Sequence, residues 1–498
     1  SMKILIGKAG FVVCLFLFLS HDAPAASPPL TDESSVEQWT FGEKARQAYD
    51  LIFSLDLNGV HRIIPEPRSA DEIYVVSLAE SIELLLEEDG EKYTEYEARF
   101  EQRRERKTKN GAPAESFLQA EMAIQWAFVH FKFGHEFDAA LNLKDAYSIA
   151  VHARKRHPNY DALKKTAALL EVIVGSVPEK YNWVLSLLGI EGSVDQGLRL
   201  FENLHHSQSP LKTEADMLQG VTLCYVLQQT DKASAVYNRL FSNQPSPLVG
   251  FLAASVAIKN SESEKALRLL QHLDSLKTMQ LDYASYLLGE VYLCKAEYLN
   301  SITSYRKFLS HYKGQNNIKD AHYKIGLCYW LNGNVNDALE SFRMARNAGR
   351  EVTEADKYAA RSVAEDELPH RKLTQARYFT DGGYYEQAQQ TLDGIAHAEL
   401  KTNRDQLEYY YRRARLSHKT HKFAAAKTDY QKVIDINGSA NWYYAPNACL
   451  QMGYILVDEK NNALAEEYFE MALSYKKHEY KNSIDTKARS ALAQLKRK

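Results

Sequence analysis

Apolar residues recur at three- and four-residue spacing through most of the chain, the period of one buried face of an α-helix. Ahead of Gly220 this periodicity predicts helices over 36–55, 70–88, 91–107, 114–133, 137–157 and 160–174, with shorter ones reaching His206. Pro65-Glu66-Pro67, Gly111-Ala112-Pro113 and His157-Pro158 punctuate them as turns. From Gly220 onward the pattern becomes a repeat, and a repeat decides the architecture before any single element does.

The clearest unit runs His322, Ile325, Gly326, Tyr329, Ala338, Phe342 and Ala345. Another reads Cys449, Met452, Gly453, Leu456, Ala465, Phe469 and Ala472, and a third Leu288, Gly289, Tyr292, Ser301, Tyr305 and Phe308. Weaker copies centre on Ala254 with Ala266 and Leu270, on Ala376 with Ala388 and Leu392, and on Ala414 with Ala426 and Tyr430. A copy at Gly220 needs a turn one residue longer to place Ala233, Tyr237 and Leu240. The seven small residues Gly220, Ala254, Gly289, Gly326, Ala376, Ala414 and Gly453 stand 34, 35, 37, 50, 38 and 39 residues apart. A small residue on one helix and an alanine on the next let two helices approach, while the large residues between fill the gaps.

This spacing resembles the tetratricopeptide repeat, W-x2-L-G-x2-Y…A-x3-F, which the unit at Gly326 matches at all but its first position. The resemblance implies an all-α fold, an α-α superhelix of stacked hairpins preceded by an irregular helical region. The interval of 50 holds a helical stretch over 352–368 closed by Pro369, so an additional helix is expected there. It reads as a hinge or partner-facing bulge, or as an insertion without function.

The chain divides into an extra leading residue plus signal peptide over 1–26, an irregular helical domain over 27–208, and a repeat domain over 209–498. Paired helices in 27–208 are consistent with degenerate repeats that cap the array. The stretch Pro178-Glu179-Lys180-Tyr181-Asn182-Trp183, continuing through Gly189 to Gly197-Leu198, resembles a segment of the tetratricopeptide repeat protein 39 and inclusion body clearance protein family. That likeness implies a helical adaptor without catalytic residues, in a family associated with protein aggregates and lipid droplets. Family members lack an export signal, and Ser193-Val194 stands where they tend to carry charge.

Composition narrows the functional classes. Lys and Arg number 61 against 64 Asp and Glu, so no global field favours nucleic acid, which is not expected as a partner. At the start, Lys3 and Lys8 precede an apolar run from Ala9 to Leu19, and Ala23-Pro24-Ala25-Ala26 offers small residues for cleavage. Export is expected, to a periplasmic or secreted location with outer-membrane association open; an uncleaved anchor is the alternative. No later run is long enough to span a bilayer. Cys224, Cys294, Cys328 and Cys449 follow the cleavage region, each on an expected helix where a small buried hydrophobe is the common role.

Chemistry is sparse. The sequence holds no glycine-rich phosphate loop, EF-hand loop, G-x-S-x-G elbow or zinc-spaced cysteines, and His135-Glu136 has Ala139 where a zincin's second histidine belongs. No cofactor, metal or catalytic residue is therefore expected. A concave groove remains, with aromatic and arginine side chains on the first helix of each repeat as candidates to bind a polypeptide: Tyr286, Tyr323, Trp330, Arg377, Tyr411, Arg412 and Arg415. The lysine and asparagine of the chaperone-tail clamp are replaced by Tyr323 and Leu327, or Tyr286 and Glu290. The expected function is thus a non-catalytic exported scaffold whose partner the sequence does not identify. A carbohydrate-binding outer-membrane component and an enzyme with an inter-domain site are the competing readings.

Overall fold

The computed structural model describes residues 37–105, 112–177, 189–276, 281–365 and 367–495. These residues form 24 α-helices, with no strand among them. The first eight are α1 (Glu43–Phe53), α2 (Leu57–Ile63), α3 (Ala70–Glu87), α4 (Gly90–Arg104), α5 (Pro113–Lys132), α6 (Glu136–Arg156), α7 (Asp161–Gly175) and α8 (Val194–His205). Next come α9 (Lys212–Val221), α10 (Thr230–Asn243), α11 (Pro247–Lys259), α12 (Ser263–Ser275), α13 (Asp282–Cys294), α14 (Tyr298–His311), α15 (Ile318–Leu331) and α16 (Val335–Asn347). The last are α17 (Glu354–Ser362), α18 (Arg371–Gly382), α19 (Tyr385–Asp393), α20 (Asn403–Lys419), α21 (Phe423–Ile436), α22 (Tyr444–Asp458), α23 (Asn462–Ser474) and α24 (Lys481–Leu495). The segment 1–26, read as an export signal, and most of the stretch beginning at Pro178 lie outside the described residues.

Helix starts follow from local chemistry. Asp89 accepts backbone hydrogen bonds at the start of α4, and Ser246 followed by Pro247 opens α11. Thr402 and Asp405 bond reciprocally at the start of α20.

The hairpin turns repeat one backbone geometry. Ser261, Ala296, Gly333, Gly383, His421 and Lys460 all have positive φ, each seven positions after the small residue of its unit. The amide of the following residue donates to a carbonyl near the end of the first helix, as in Glu262 to Ala257 and Asn334 to Tyr329, both at 2.8 Å. Only Gly333 and Gly383 are glycines, so in the other units tertiary packing holds a non-glycine residue left-handed. The unit at Gly220 carries one extra residue, but not in the turn where the sequence suggested it. Thr222–Val226 forms a π-helical turn that absorbs the insertion and leaves the turn at Gln228 ordinary.

The same signature appears earlier than the sequence pattern does. Gly134 has φ +83° seven residues after buried Ala127, and Ala139, Leu143 and Ala146 are buried at the spacing of a second repeat helix. One hydrophobic core runs from Trp39 to Val256 across position 208, so that boundary separates sequence patterns rather than cores.

The small residues act as the repeat logic requires. A Cβ on Gly326 would meet the Phe342 ring at 2.5 Å, and one on Gly289 the Tyr305 ring at 2.7 Å; Gly220 and Gly453 stand equally close to Tyr237 and Phe469. Gly326→Leu is therefore expected to lower stability by about 1 to 3 kcal/mol through overpacking. Chemical denaturation matching that of the parent would mean that α15 and α16 do not pack through this contact.

Two polar assemblies fix the N-terminal helices. Lys165, 1% exposed, holds Glu121 at 2.6 Å and Glu214 at 2.8 Å. Tyr49 and Tyr74 donate to Glu214, and Thr166 donates to Glu121. The cluster joins α1, α3, α5, α7 and α9. Burial opposes the Lys165 charge, but Glu121 and Glu214 outweigh it and hold the ammonium above its usual range. At the end of α3, Glu88 accepts from the Tyr312 hydroxyl at 2.7 Å and the Gln315 amide at 3.0 Å, with Lys132 and Arg350 each 3.7 Å away. Asp89 pairs with Lys313 at 2.8 Å, completing a dock between α3 and the loop before α15.

Candidate functional site on the inner surface

The inner helices carry the candidate side chains, but much of their face packs against itself. On α13 and α15, Tyr286 donates to Asp320 at 2.6 Å, and Lys324 bridges Asp320 at 3.0 Å and Glu290 at 2.5 Å. Burial disfavours the Lys324 charge, and the two carboxylates overcome it to keep the ammonium well above its usual range.

The additional helix expected in the long interval is α17, shorter than the stretch 352–368, and it works as a clasp. Asp356 accepts from the backbone amides of Asn317 at 2.8 Å and Asp320 at 3.0 Å, satisfying donors at the start of α15. Tyr358 stacks on Tyr480 at 4.9 Å and accepts from Arg377 at 3.2 Å. Tyr443 lies 5.3 Å from Tyr480 and accepts from Arg412, which also pairs with Glu408 at 2.6 Å. The repeats then bend back on themselves. The Gly382-Gly383 turn presses on Ser261 and Ser263, and Tyr384 donates to Glu264 at 2.7 Å. Gly383, with φ +86°, lies so near the Ser261 carbonyl that a Cβ would overlap it.

The expected binding stripe is corrected by this packing. Tyr286, Tyr323, Tyr411 and Arg412 are buried in self-contacts: Tyr323 lies against Phe342 and Tyr358, and Tyr411 against Tyr443 and Tyr444. Trp330 is half-buried, its indole N–H donating to the Pro369 carbonyl at 2.9 Å beneath the Arg371 guanidinium. Arg377 is held by Tyr358 and faces Asp381 at 3.8 Å. Arg415 stays half-buried on the inner face of α20, donating to Gln451 at 2.7 Å. The reason is packing between adjacent repeats and against α17: Asp320 of the next repeat covers Tyr286, Tyr358 of α17 covers Tyr323, and Tyr443 of the next repeat covers Tyr411 and Arg412.

A different set of groups gathers around Arg415. Lys419 lies one turn along α20, Lys259 ends α11, and Lys487 sits on α24. Burial, with Lys259 and Arg415 adding to it, pushes the Lys487 ammonium down to about 8. Burial and Arg415 also lower Lys419, against the pull of Asp381 and Asp231. His418 is pushed to about 3 by burial, then by Arg415, Lys419 and His421, so it stays neutral 3.2 Å from the Tyr430 hydroxyl. The pairing of Lys419 with Arg415 was available from four-residue spacing. Lys259 and Lys487 were not, because they lie on helices far from α20 in sequence.

Among the described residues no group of three or more His, Cys, Asp or Glu side chains could hold a metal, and no helix is long and apolar enough to cross a membrane. Burial pushes Cys328 and Cys449 up to about 12, far from a reactive thiolate.

Residues 407–439 and 446–479 match the family model described as Tetratricopeptide repeat. No curated protein matches the sequence, so the likeness to the tetratricopeptide repeat protein 39 family gains no support. Among solved structures, the apo form of RapI is 14% identical, with 78% of this chain and 97% of that one covered at a TM-score of 0.37. A human IFIT1 dimer with m7Gppp-AAAA is 12% identical, with 88% and 96% covered at 0.31. A structure from the functional characterization of Pseudomonas aeruginosa pilF is 12% identical, with 49% and 97% covered at 0.26. Likeness at this level extends to no ligand and no partner. The family match over α20 to α23 identifies tetratricopeptide repeats there, and the stacked hairpins with their recurring turn continue the same arrangement through the preceding repeat helices.

Proposed function

We propose that this protein is a non-catalytic scaffold that binds a polypeptide on its inner surface, around Arg415 on α20. The observation that supports this most is that Arg415, with Lys419 one turn along, stays half-buried on the inner face of α20 while Tyr286, Tyr323, Tyr411 and Arg412 are buried. Concave surfaces that keep solvent contact are where stacked-hairpin arrays receive extended partners. On the reading of 1–26, the scaffold is exported.

Site-specific photo-crosslinking in the native host tests both parts. A photoreactive residue at Gln451, beside Arg415, is expected to capture a discrete polypeptide, while one at exposed Met344 on α16 is not. The scaffold chain recovered with it should begin near Ala26 or Ser27. Capture from Met344 alone would remove the inner-surface assignment, and a cytosolic chain retaining Met2 would remove export.

A further inference from the structure

The second helices of the hairpins carry a groove that the inner-surface reading does not use. A cavity of about 550 Å³ lies between α10 and α12, the second helices of successive units. Its floor is apolar, made by Tyr237 and Phe241 of α10, Ala253 of α11 and Leu269 of α12. Gly250 on α11 leaves room for Phe241, whose ring stands 3.3 Å from where a Cβ would be. Its rim is polar and of one sign. Asn238 and Ser242 border it on α10, and Lys265, Arg268 and His272 on α12, with no carboxylate among the lining residues. Spacing of three and four residues puts the α12 groups on one helix face beside Leu269. Lys265 donates to Ser234 at 3.1 Å and stands 3.5 Å from Glu262. Arg268 and His272 are exposed, and among the described residues neither side chain, nor that of Asn238, makes a hydrogen bond or an ion pair.

The corresponding groove between α21 and α23, of about 590 Å³, is spanned by the chain's own groups. There Tyr468 donates to Gln431 at 2.7 Å, Lys427 pairs with Glu459 at 2.7 Å, and Lys432 lies 4.0 Å over the Tyr410 ring. Leu269 holds the place of Tyr468 in its own unit and Asn238 that of Gln431, so the tie across the groove is missing between α10 and α12.

We propose that the groove between α10 and α12 docks an acidic, amphipathic segment of a partner polypeptide. One large apolar side chain of that segment lies on the floor of Phe241 and Leu269, and its carboxylates meet Arg268, His272 and Lys265. A guanidinium receives a carboxylate through two parallel hydrogen bonds, which suits Arg268 to this task. Lys265 to His272 extends about 10 Å along α12, the length of two helical turns of such a segment. The floor rings argue against single-stranded nucleic acid. Tyr237 is buried with its hydroxyl donating to the Met217 carbonyl at 2.8 Å, and Phe241 is half-buried against α11, so no exposed ring face offers itself for base stacking.

The test uses the full chain and fluorescence anisotropy with a labelled glutamate-rich peptide that carries one central leucine. Counterparts with glutamine for glutamate, or with alanine for that leucine, are expected to bind more weakly, and binding should fall with added salt. Arg268→Glu with His272→Glu should weaken the acidic peptide by roughly tenfold or more at an unchanged melting temperature. Lys427→Glu with Lys432→Glu, a comparable charge change in the other groove, should leave its affinity unchanged. Leu269→Tyr, which restores the missing tie, should abolish binding. Equal binding by the parent and the Arg268→Glu, His272→Glu variant would overturn the proposal, as would an equal loss in the Lys427→Glu, Lys432→Glu variant. Equal affinity for the alanine counterpart would remove the apolar floor from the site and with it the amphipathic ligand. Tighter binding of oligouridylate or dodecanoate that Arg268→Glu with His272→Glu abolishes would give the groove to another class of ligand and overturn the peptide assignment. The inner-surface reading stands or falls separately, on the Gln451 crosslinks.

Discussion

Lys165→Met is expected to destabilise the protein by about 3 to 5 kcal/mol, because it removes the one cation between two buried carboxylates and leaves both uncompensated. Glu121 and Glu214 reach Lys165 from different helices, so the repulsion would push α5 and α9 apart and loosen α7 between them. Calorimetry should show a large drop in melting temperature, with Glu121→Gln and Glu214→Gln added to the same chain recovering part of it. Acid should also help the single variant. Burial already raises the Glu121 carboxyl, and without Lys165 it would protonate more readily still, so the deficit relative to the parent should shrink as pH falls. A single variant that melts with the parent would show that the cluster bears little of the fold's stability.

Glu88→Ala is expected to remove about 3 kcal/mol, and its effect is on coupling as much as on stability. The Glu88 carboxylate is buried, and it satisfies the Tyr312 hydroxyl and the Gln315 amide while balancing Lys132 and Arg350. Without it those donors lose their acceptor inside the dock, and Lys132, already pulled below its usual range by burial, loses its nearest carboxylate. Unfolding of the parent should report one transition whether followed through Trp126 in α5 or Trp330 in α15. In the variant the two probes should separate. Coincident transitions would mean that the hydrophobic contacts of α1 and α3 with α11 and α13 suffice to couple the regions.

The regular part of this architecture was legible because it is written in residue size. Gly289, Gly326 and Gly453 each face the ring that their spacing anticipates, and every repeat helix from Gly220 onward lies close to where its small residue placed it. The repeat at Ala127 escaped notice because the neighbouring positions are filled by aromatic residues that serve the N-terminal core as well, so size alternation is blurred. The candidate site was less legible for a different reason. Counting positions along one helix identifies its inner face, but whether that face meets solvent depends on how tightly successive hairpins turn. Here Tyr286 is covered by Asp320 of the next repeat, Tyr323 by Tyr358 of α17, and Tyr411 and Arg412 by Tyr443 of the next repeat. Local periodicity has no access to a contact that spans 120 residues, such as Tyr384 to Glu264.

The meeting of Gly383 with Ser261 also bears on how such a chain can change over evolutionary time. Open arrays gain and lose hairpins by duplication and deletion, since each unit touches only its neighbours. In this molecule the loss of any one hairpin between α12 and α18 would carry the glycine pair away from its seat, and a duplication would overshoot it. The number of units in that arc is thereby locked, and variation is confined to side chains and to the two ends.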